Sequence, residues 1–442
     1  MAKIVLSVNA GSSSVKISVY SVASCGAEPH QLAEAQVNGL TAPPPQISYS
    51  RNEDDGSSTR VYKDEPVANV DVGSGSSSSS SSSSIESQDD AFAFLLRLFV
   101  NDPKLAALGS HSDISIVTHR IVHGGDYTAP QTVIGDTYEH IEALNDLAPL
   151  HNAKSLEIVR SCLRQLPAAT NVACFDSQFH ATLPPHIRTY PIDPTIAKAN
   201  MLRKYGFHGL SYAFITRAVA DALGKETKDT SIIALHLGSG ASACAIRGGQ
   251  SWDTSMGLTP LAGLPGATRS GSVDPSLVFH YASDVGRLAP ASTSELHISR
   301  AEEILNKESG WKALTGTTNF GAIAAAGPDQ PDHQLAFDLF VDRVCGFVGS
   351  YYVTLRGQVD ALVFAGGIGE RSDRLRAAVV EQCACLGFAI DPAANKEAAH
   401  APGTVTDLTA KEGSRHRVLV CRTDEQLEMA REGSADRSLW KS

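Results

Sequence analysis

A strand that breaks at a run of glycine and serine and then resumes occurs twice in this chain, and this repeat constrains the fold more than any other feature. In the first copy, residues 3–8 and 15–20 have the apolar character of strands and flank the segment N-A-G-S-S-S at 9–14. In the second copy, at 232–246, the break is the segment G-S-G. Similar strand-loop-strand units in the two halves of a chain predict an internal duplication.

Short apolar runs alternate with helical stretches through the rest of the chain. Strands are predicted at 114–117, 171–175, 232–237 and 361–364, and helices at 91–100, 338–355 and 372–383. Strands interleaved with helices indicate α/β layers. A length of 442 residues suits two or three domains with sizeable cores.

Charge and cysteine usage exclude several classes of function. The formal net charge of -11 argues against a nucleic-acid-binding protein, which would carry a basic face. The 8 cysteines form no CxxC pair for zinc and lie mostly in apolar stretches, which is typical of a reducing compartment. Because the N-terminus lacks a signal peptide and no apolar run could span a membrane, we expect a cytoplasmic protein without a membrane partner.

One stretch is foreign to a compact α/β fold. Residues 52–90 contain the unbroken serine run 76–84, which cannot bury enough apolar surface to order itself. We therefore expect a flexible surface insertion over 52–90, with a buried helical pattern resuming at residue 91.

Three glycine-rich segments have the composition of phosphate-binding loops. Besides the segments at 9–14 and 237–242, the sequence G-G-I-G-E-R at 366–371 follows a predicted strand and precedes a helix that Ser372 would cap. Glycines let backbone N–H groups point at an anion, serine hydroxyls add donors, and Lys16 lies just beyond the first segment. One such segment alone is more typical of a tight turn, but three together favour phosphate binding. The break at 9–14 is then expected to widen its hairpin to hold phosphate oxygens.

The order of short motifs along nearly the whole chain resembles the acetate kinase (acetokinase) family. The motifs are N-A-G-S-S-S-x-K, H-R-I-V-H-G-G, A-P-L-H-N, C-F-D-S-Q-F-H, Y-G-F-H-G, H-L-G-S-G, D-T-S-M-G-L-T-P-L-x-G-L, T-R-S-G-S-V-D-P, A-G-G-I-G-E and T-D-E-Q-L. The insertion at 52–90 is absent from the compact bacterial form and is similar to what a eukaryotic, fungal-type member carries. The resemblance implies the two-domain α/β fold of the actin, Hsp70 and sugar kinase class (ribonuclease H-like), with duplicated halves and a central cleft.

The resemblance also implies a domain organisation. We expect an N-terminal lobe at 1–180, with the first phosphate hairpin and the insertion, completed by a C-terminal helix at 424–442. Residues 181–423 would form the C-terminal lobe, with the second phosphate loop and the nucleoside loop. A homodimer is expected from the resemblance alone.

The activity that the resemblance implies is reversible, Mg²⁺-dependent phosphoryl transfer between ATP and acetate, giving ADP and acetyl phosphate by direct in-line transfer. Acetate is already an anion near neutral pH and needs no general base, so the difficulty is repulsion between two anions. Arg120 and Arg269 match the family's substrate-binding and transition-state-stabilising arginines, whose planar forks can hold oxygens bidentately. His208 matches the histidine that contacts the phosphoryl group. Asp176 matches the catalytic aspartate, for which we favour an orienting role over proton abstraction.

The substrate and metal residues follow from the same resemblance. The residues matching the acetate site, including a small apolar pocket for the methyl group, are Arg120, Val122, Leu150, His151, Phe207 and Pro260. Such a pocket discriminates weakly, so propionate is expected as a slower substrate. Mg²⁺ prefers oxygen ligands, and the family's metal positions are Asn9 and Glu425. Three further histidines are expected to be structural, namely His119, His123 and His180.

The nucleotide side both matches and departs from the family pattern. The matching nucleotide and phosphate positions are Ser12, Ser14, Lys16, His236, Gly238, Ser239, Gly240, Asn319, Phe320, Gly367, Ile368, Gly369 and Arg371. However, the usual H-L-G-N-G-S is H-L-G-S-G-A at 236–241, the usual S-D-F-R is T-N-F-G at 318–321, and G-I-G-E-N ends in Arg371. Near His208, Leu210 and Tyr212 stand where the family usually has Thr and His.

Several alternatives stay open at this point. ATP binding is either rebuilt around Arg371, or the nucleoside pocket is partly closed and the donor is pyrophosphate. A propionate or butyrate kinase would differ only in pocket size. A non-catalytic, nucleotide-binding actin-like module would have little reason to keep Arg120, Arg269, His208 and Asp176 in family context.

Overall fold

The two glycine-broken strand pairs are antiparallel hairpins in the computed structural model of this chain. The structure describes residues 2–11, 13–40, 43–53, 57–70, 85–144, 149–281, 288–290, 292 and 298–440, except for the side chains of 149–151, 153, 154 and 281. The chain separates into two compact units, one built from Met1–Phe175 and Asp424–Ser442 and the other from Asp176–Thr423. The first boundary lies earlier than the predicted position at 180, directly after a strand.

Each hairpin belongs to a mixed β-sheet. The strands of the first unit are β1 Lys3–Ala10, β2 Ser14–Val22, β3 His30–Asn38, β4 Gln46–Asn52, β5 Ser58–Pro66, β6 Ile114–Ile121, β7 Gln131–Thr132 and β8 Thr170–Phe175. The strands of the second unit are β9 Ile232–Leu237, β10 Ala241–Arg247, β11 Gln250–Thr254, β12 Ala361–Ala365, β13 Val405–Asp407 and β14 Arg417–Cys421.

The two sheets share a six-strand topology, which β4 and β5 extend in the first unit. The strand order is β5-β4-β3-β2-β1-β6-β8-β7 in the first unit and β11-β10-β9-β12-β14-β13 in the second. In both, three consecutive strands pair antiparallel (β1 to β3, β9 to β11), and the first of them pairs parallel with β6 or β12. Two further pairings, parallel and then antiparallel, complete each sheet. The repeated topology confirms the predicted α/β class and internal duplication.

Helices cover both sheets. They are α1 Gln88–Val100, α2 Gly135–Ala143, α3 Pro149–Gln165, α4 Pro185–Arg188, α5 Pro194–Ala199, α6 Gly209–Ala222, α7 Leu277–Tyr281, α8 Arg300–Lys307, α9 Gly310–Thr315, α10 Phe320–Ala324, α11 Pro331–Thr354, α12 Gly366–Arg371, α13 Asp373–Gln382, α14 Pro392–Glu397 and α15 Glu425–Ser434. Short 3₁₀ helices lie at Val67–Asn69, His111–Asp113, Gln178–Thr182, Thr227–Asp229, Ala384–Leu386 and Arg437–Trp440. Among the residues that the structure describes, none of these helices is long and apolar enough to cross a membrane.

Apolar faces of the helices form one main core in each unit. In the first, Phe92, Leu95 and Phe99 of α1 pack against strand residues such as Ile17 of β2. In the second, α11 and α13 contribute to a core with β9, β10 and β12. The predicted helices at 91–100, 338–355 and 372–383 correspond to α1, α11 and α13.

The last helix, α15, is fixed to the first sheet by a buried polar side chain. Gln426 is 2% exposed, its Nε2 donates to the Ser7 carbonyl oxygen at 3.0 Å, and its Oε1 accepts from Ser18 Oγ at 2.9 Å. The amide thus joins both strands of the first hairpin to the start of α15. This contact sets the position of the neighbouring Glu425.

The first hairpin is narrower than the sequence predicted. Asn9 pairs with Lys16 and Ala10 with Val15, so only residues 11–13 connect β1 to β2. The Gly11 N–H donates to the Ser14 carbonyl oxygen at 2.9 Å and closes the turn. The prediction of a widened six-residue loop is therefore wrong, because the ladder continues through the small residues at both ends of the break.

The prediction of a flexible insertion over 52–90 is wrong for part of that range. Residues 54–56 and 71–84, including the serine run, lie outside the described residues. Between them, β5 pairs antiparallel with β4, and the Tyr62 ring lies 6.4 Å from that of Tyr49. Farther on, Ser87 and Asp90 form a capping box that starts α1. Strand β5 escaped detection because it is a mostly exposed edge strand whose charged residues hide the apolar alternation.

Candidate active site

His208 is held in an unusual backbone conformation at the start of α6. It is the N-cap residue, with φ 59° in the left-handed region, and its side chain is 9% exposed. Its Nδ1 lies 2.8 Å from Ser242 Oγ on β10. Its ring stacks on the ring of His236, with centroids 4.2 Å apart and planes inclined by 25°. One face and one edge of the imidazole are therefore fixed by the second hairpin.

The second glycine turn brings His208 and Arg269 to one place. A Cβ atom added to Gly240 would lie 3.1 Å from Arg269 Nη1 and 3.7 Å from His208 Nε2. Arg269 Nη1 also donates to the Pro260 carbonyl oxygen at 3.5 Å. The turn itself is closed by the Gly238 N–H, which donates to the Gly240 carbonyl oxygen at 3.1 Å. A guanidinium group and an imidazole nitrogen thus border the same glycine.

Asp176 follows β8 directly and is packed against the backbone beside His208. Its side chain is buried, and its carbonyl oxygen accepts from the Gly209 N–H at 2.8 Å. A Cβ atom at Gly209 would lie only 2.2 Å from that oxygen, so no larger residue fits there without movement. The glycine in Y-G-F-H-G is therefore explained by this close approach.

Two of the histidines expected to be structural have buried hydrogen-bonded rings. His180 Nε2 donates to the Phe207 carbonyl oxygen at 3.0 Å, which leaves Nδ1 to accept from Ser251 Oγ at 2.7 Å. His119 Nε2 lies 2.8 Å from Asn171 Oδ1. Burial lowers the pKa of each imidazole to about 4, so both are neutral at neutral pH.

The third histidine of this group, His123, is fully buried. Its Nδ1 accepts from the Gly125 N–H at 3.0 Å, and Asn152 Oδ1 accepts from its backbone N–H at 2.9 Å. It therefore anchors the backbone of the H-G-G segment.

A cavity of about 570 Å³ in the second unit is lined by many of the residues predicted for nucleotide binding. Seven of the predicted residues line it, namely Gly238, Ser239, Asn319, Phe320, Gly367, Ile368 and Arg371. Ala324, Ala325 and Arg374 also line it, and sequence reasoning missed them. His236, also predicted for this site, does not line the cavity; its ring stacks on that of His208. A second cavity, of about 890 Å³, lies elsewhere in the same unit against Cys345 and Cys383 and involves none of the predicted residues.

The third glycine segment is a helical turn and not an open loop. Residues Gly366–Arg371 form α12, and Gly366 has φ 73°. A Cβ atom at Gly366 would lie 2.7 Å from the Leu237 carbonyl oxygen, so β9 and the start of α12 approach closely. Ser372 Oγ accepts from the Leu375 N–H at 3.3 Å and caps α13, as predicted.

Two arginines that the sequence reasoning missed hold this region together. Arg376 is fully buried, its Nη1 donates to the Gly369 carbonyl oxygen at 2.8 Å, and its Nε donates to Asn395 Oδ1 at 2.7 Å. Burial lowers its pKa to about 10, so it stays charged at neutral pH. Arg374 donates to Gln334 Oε1 at 2.7 Å and lies 4.3 Å over the Phe337 ring. Both arginines lie in the first turn of α13, where a positive charge interacts unfavourably with the helix dipole. Two arginines at such a position in the sequence could have indicated that they serve another purpose than helix stability.

In the first unit, the predicted metal residues and one predicted arginine lie together. Glu425 Oε2 is 3.4 Å from Asn9 Nδ2 and 3.4 Å from Arg120 Nη1. An amide and one carboxylate are oxygen donors of the kind Mg²⁺ uses when substrate phosphates and waters complete its shell. No group of three or more His, Cys, Asp or Glu residues within the described part of the chain is arranged to hold a metal by itself.

The other predicted residues of the first unit are more dispersed. Lys16 lies on β2 and its Nζ is 2.9 Å from Glu34 Oε2, so its charge is already paired. Ser14 begins β2, and Val122 is half-buried just after β6. Ser12 lies outside the described residues, as do the side chains of Leu150 and His151. In the second unit, Phe207 and Pro260 are buried.

Duplicated mixed sheets with glycine hairpins define the fold of the actin, Hsp70 and sugar kinase class. The sequence profile described as the acetokinase family matches residues 4–431. A relative from Neurospora crassa named "Probable acetate kinase" is 58% identical over 467 residues, covering 100% of this chain and 96% of the relative. The chain belongs to the acetokinase family.

Solved structures agree with this assignment. The crystal structure of Porphyromonas gingivalis acetate kinase has a TM-score of 0.76 and 28% identity, covering 99% of this chain and 100% of that one. The crystal structure of a propionate kinase from Francisella tularensis has a TM-score of 0.77 and 31% identity, covering 97% and 98%.

Proposed function

We propose that this chain is an acetate kinase that transfers a phosphoryl group reversibly between ATP and acetate, giving ADP and acetyl phosphate. The observation that carries the proposal is the meeting of Arg269 and His208 Nε2 at the Gly240 turn. This turn adjoins Gly238 and Ser239, which line a cavity of about 570 Å³. Membership of the acetokinase family supports the same activity.

Arg269 and His208 are assigned to the phosphoryl group in transfer. Charge builds on the equatorial oxygens of this group, and a guanidinium fork can stabilise two of them at once. His208 adds a single ring nitrogen at the same glycine. Because acetate is an anion near neutral pH, no general base is needed, and the buried Asp176 is assigned an orienting role. The mechanism is direct in-line transfer without a covalent enzyme intermediate.

Arg120 is assigned to the carboxylate of acetate. Its Nη1 lies 3.4 Å from Glu425 Oε2, an ion pair that restricts where the guanidinium can point. The family resemblance also assigns Val122, Leu150, His151, Phe207 and Pro260 to acetate binding. A small apolar pocket for the methyl group would separate acetate from propionate only weakly, since one methylene is worth about 1 to 3 kcal/mol.

The cavity favours a nucleotide over pyrophosphate as the phosphoryl donor. Its volume of about 570 Å³ lies within the usual range for small-molecule sites and exceeds what two phosphates would fill. The polar groups of Asn319 and Arg371 and the apolar surface of Phe320 and Ile368 give it both kinds of contact that a nucleoside needs. The changes from the family pattern at 318–321 therefore leave an open pocket, which supports the rebuilt ATP site.

Mg²⁺ is proposed to accompany the nucleotide, with Asn9 and Glu425 as its protein ligands. When bound, the ion neutralises charge on the phosphate oxygens. Glu425 is the stronger candidate, because a carboxylate carries negative charge and offers two oxygens, whereas the Asn9 amide presents its Nδ2 to Glu425 and must turn its oxygen toward the ion.

The proposed setting is a cytoplasmic homodimer. All 8 cysteines are free thiols, and 6 of them are buried, which suits a reducing compartment. The homodimer is proposed on the family resemblance.

A donor-exchange assay tests the activity. Purified protein is incubated with Mg²⁺, acetate and hydroxylamine, and ATP, GTP or pyrophosphate is supplied in turn while acetyl hydroxamate is measured. Reactions that lack acetate or protein are the controls. We expect product with ATP and little with pyrophosphate. Product with pyrophosphate alone would overturn the donor assignment, and no product with any donor would overturn the kinase assignment.

A further inference from the structure

A chain of buried hydroxyl groups leads to His208 Nδ1, the ring nitrogen other than the one near Gly240. Tyr212 Oη lies 2.6 Å from Ser242 Oγ, and Ser242 Oγ lies 2.8 Å from His208 Nδ1. Tyr212 and Ser242 are both 0% exposed. Neither residue belongs to the predicted site, and their hydroxyl groups have no access to substrate.

The hydrogen atoms of this chain can be placed by counting donors and acceptors. Burial raises the pKa of the Tyr212 phenol well above its usual range, so it keeps its hydrogen. Among the contacts recorded for the described residues, Ser242 Oγ is the acceptor available to that hydrogen. Ser242 then has its own hydrogen left to donate, and His208 Nδ1 is its remaining neighbour. Nδ1 is therefore an acceptor, and the ring hydrogen lies on Nε2.

We propose that Tyr212 and Ser242 are positioning residues that hold His208 as the neutral tautomer with its hydrogen on Nε2. This nitrogen borders Gly240 together with Arg269, so the tautomer presents an N–H donor where the phosphoryl oxygens are proposed to lie. The inference deepens the proposed function and rests on the role assigned there to His208. An Nδ1-protonated ring would instead present a lone pair to an anion and repel it.

A tyrosine at position 212 keeps the direction of these hydrogen bonds fixed near neutral pH. The family usually has His at this position, and an imidazole can gain a proton and reverse the direction of every hydrogen bond in the chain. A buried phenol cannot do so near neutral pH. The groups around His208 with charge or titratable protons are Arg269, Tyr212, Asp176 and His236, whose ring stacks 4.2 Å away.

Nitrogen NMR of the full chain, labelled with ¹⁵N-histidine, reads the tautomer directly. The His208 signals are assigned by their loss in His208→Gln. In the unaltered protein at about pH 8, where an ordinary imidazole is neutral, we expect a protonated Nε2 and an unprotonated Nδ1. In Tyr212→Phe, Ser242 loses its donor and both tautomers should appear. The matched control is Tyr351→Phe, which removes a buried hydroxyl that has no recorded hydrogen-bond partner among the described residues.

Turnover provides the second readout. Loss of one buried hydrogen bond should lower kcat of Tyr212→Phe about tenfold, with KM for ATP and acetate within about twofold. Ser242→Ala should likewise lower kcat and leave both KM values nearly unchanged. Ser242→Thr keeps the hydroxyl and should restore kcat. A hydrogen on Nδ1 in the unaltered protein, or an unchanged tautomer in both Tyr212→Phe and Ser242→Ala, would overturn the proposal. Normal turnover of His208→Gln would instead refute the role of His208, whatever the tautomer.

Discussion

Replacing Gly209 by alanine tests how tightly the fold positions His208. The new Cβ atom would lie 2.2 Å from the Asp176 carbonyl oxygen and 2.9 Å from Phe179 Cβ. Because contacts of this kind need about 3 Å, the backbone at 208 and 209 must move away from Asp176 by close to 1 Å. The movement stretches the 2.8 Å bond from the Gly209 N–H to Asp176 and shifts His208 relative to Gly240.

Two magnitudes follow from that displacement. Overpacking of this kind costs about 1 to 3 kcal/mol of unfolding free energy. A misplacement of about 1 Å at reacting groups can cost about 100-fold in turnover. We therefore expect Gly209→Ala to fold with a lowered urea midpoint and to lose about 100-fold in kcat in the hydroxamate assay.

Gly346→Ala is the matched control. Gly346 is exposed on α11 with no atom near its Cβ position, so alanine there should leave kcat unchanged and add about 0.5 to 1 kcal/mol of stability. Turnover and urea midpoint of Gly209→Ala equal to those of the unaltered protein would refute the close-approach reasoning.

Two further predictions concern stability. Arg376→Met should lower the unfolding free energy by about 2 to 5 kcal/mol, because the buried acceptors of Gly369 and Asn395 lose their donors; the urea midpoint measures this, and an unchanged midpoint would show that water replaces the arginine. Burial raises the pKa of Glu370 above 4.5, so the folded state binds this proton more tightly and the ionised carboxylate costs stability above its folded pKa. Glu370→Gln should therefore stabilise the protein at pH 7, with the gain vanishing as the pH falls below about 4.5; a constant gain across that range would contradict the cause given.

Several of the buried strands could be predicted from the sequence, although β14 was missed. Runs such as 232–237 and 361–364 are apolar on both faces, and this local signal survives in the structure as β9 and β12. β5 could not be predicted, because an exposed edge strand gains most of its order from the neighbouring β4 and not from its own apolar residues. The narrow first hairpin was missed for a related reason, since whether Asn9 and Ala10 join the ladder depends on their partners Lys16 and Val15.

The candidate site shows the same division between local and tertiary signals. Motifs name His208 and Arg269 individually, but nothing local indicates that both border Gly240. Tyr212 and Ser242 are 30 residues apart and meet only because α6 packs beside β9 and its neighbour β10. Such partners become visible only when the sheet has formed.

The most direct test of the account is the turnover of Arg269→Ala, since the guanidinium at the Gly240 turn is its central element. Arg343→Ala is the control, because that side chain is 59% exposed and has no part in the proposed site. We predict that Arg269→Ala keeps the urea midpoint of the unaltered protein and loses about 100-fold to 10,000-fold in kcat with ATP and acetate, while Arg343→Ala stays within about twofold. Turnover of Arg269→Ala equal to that of Arg343→Ala would contradict the account.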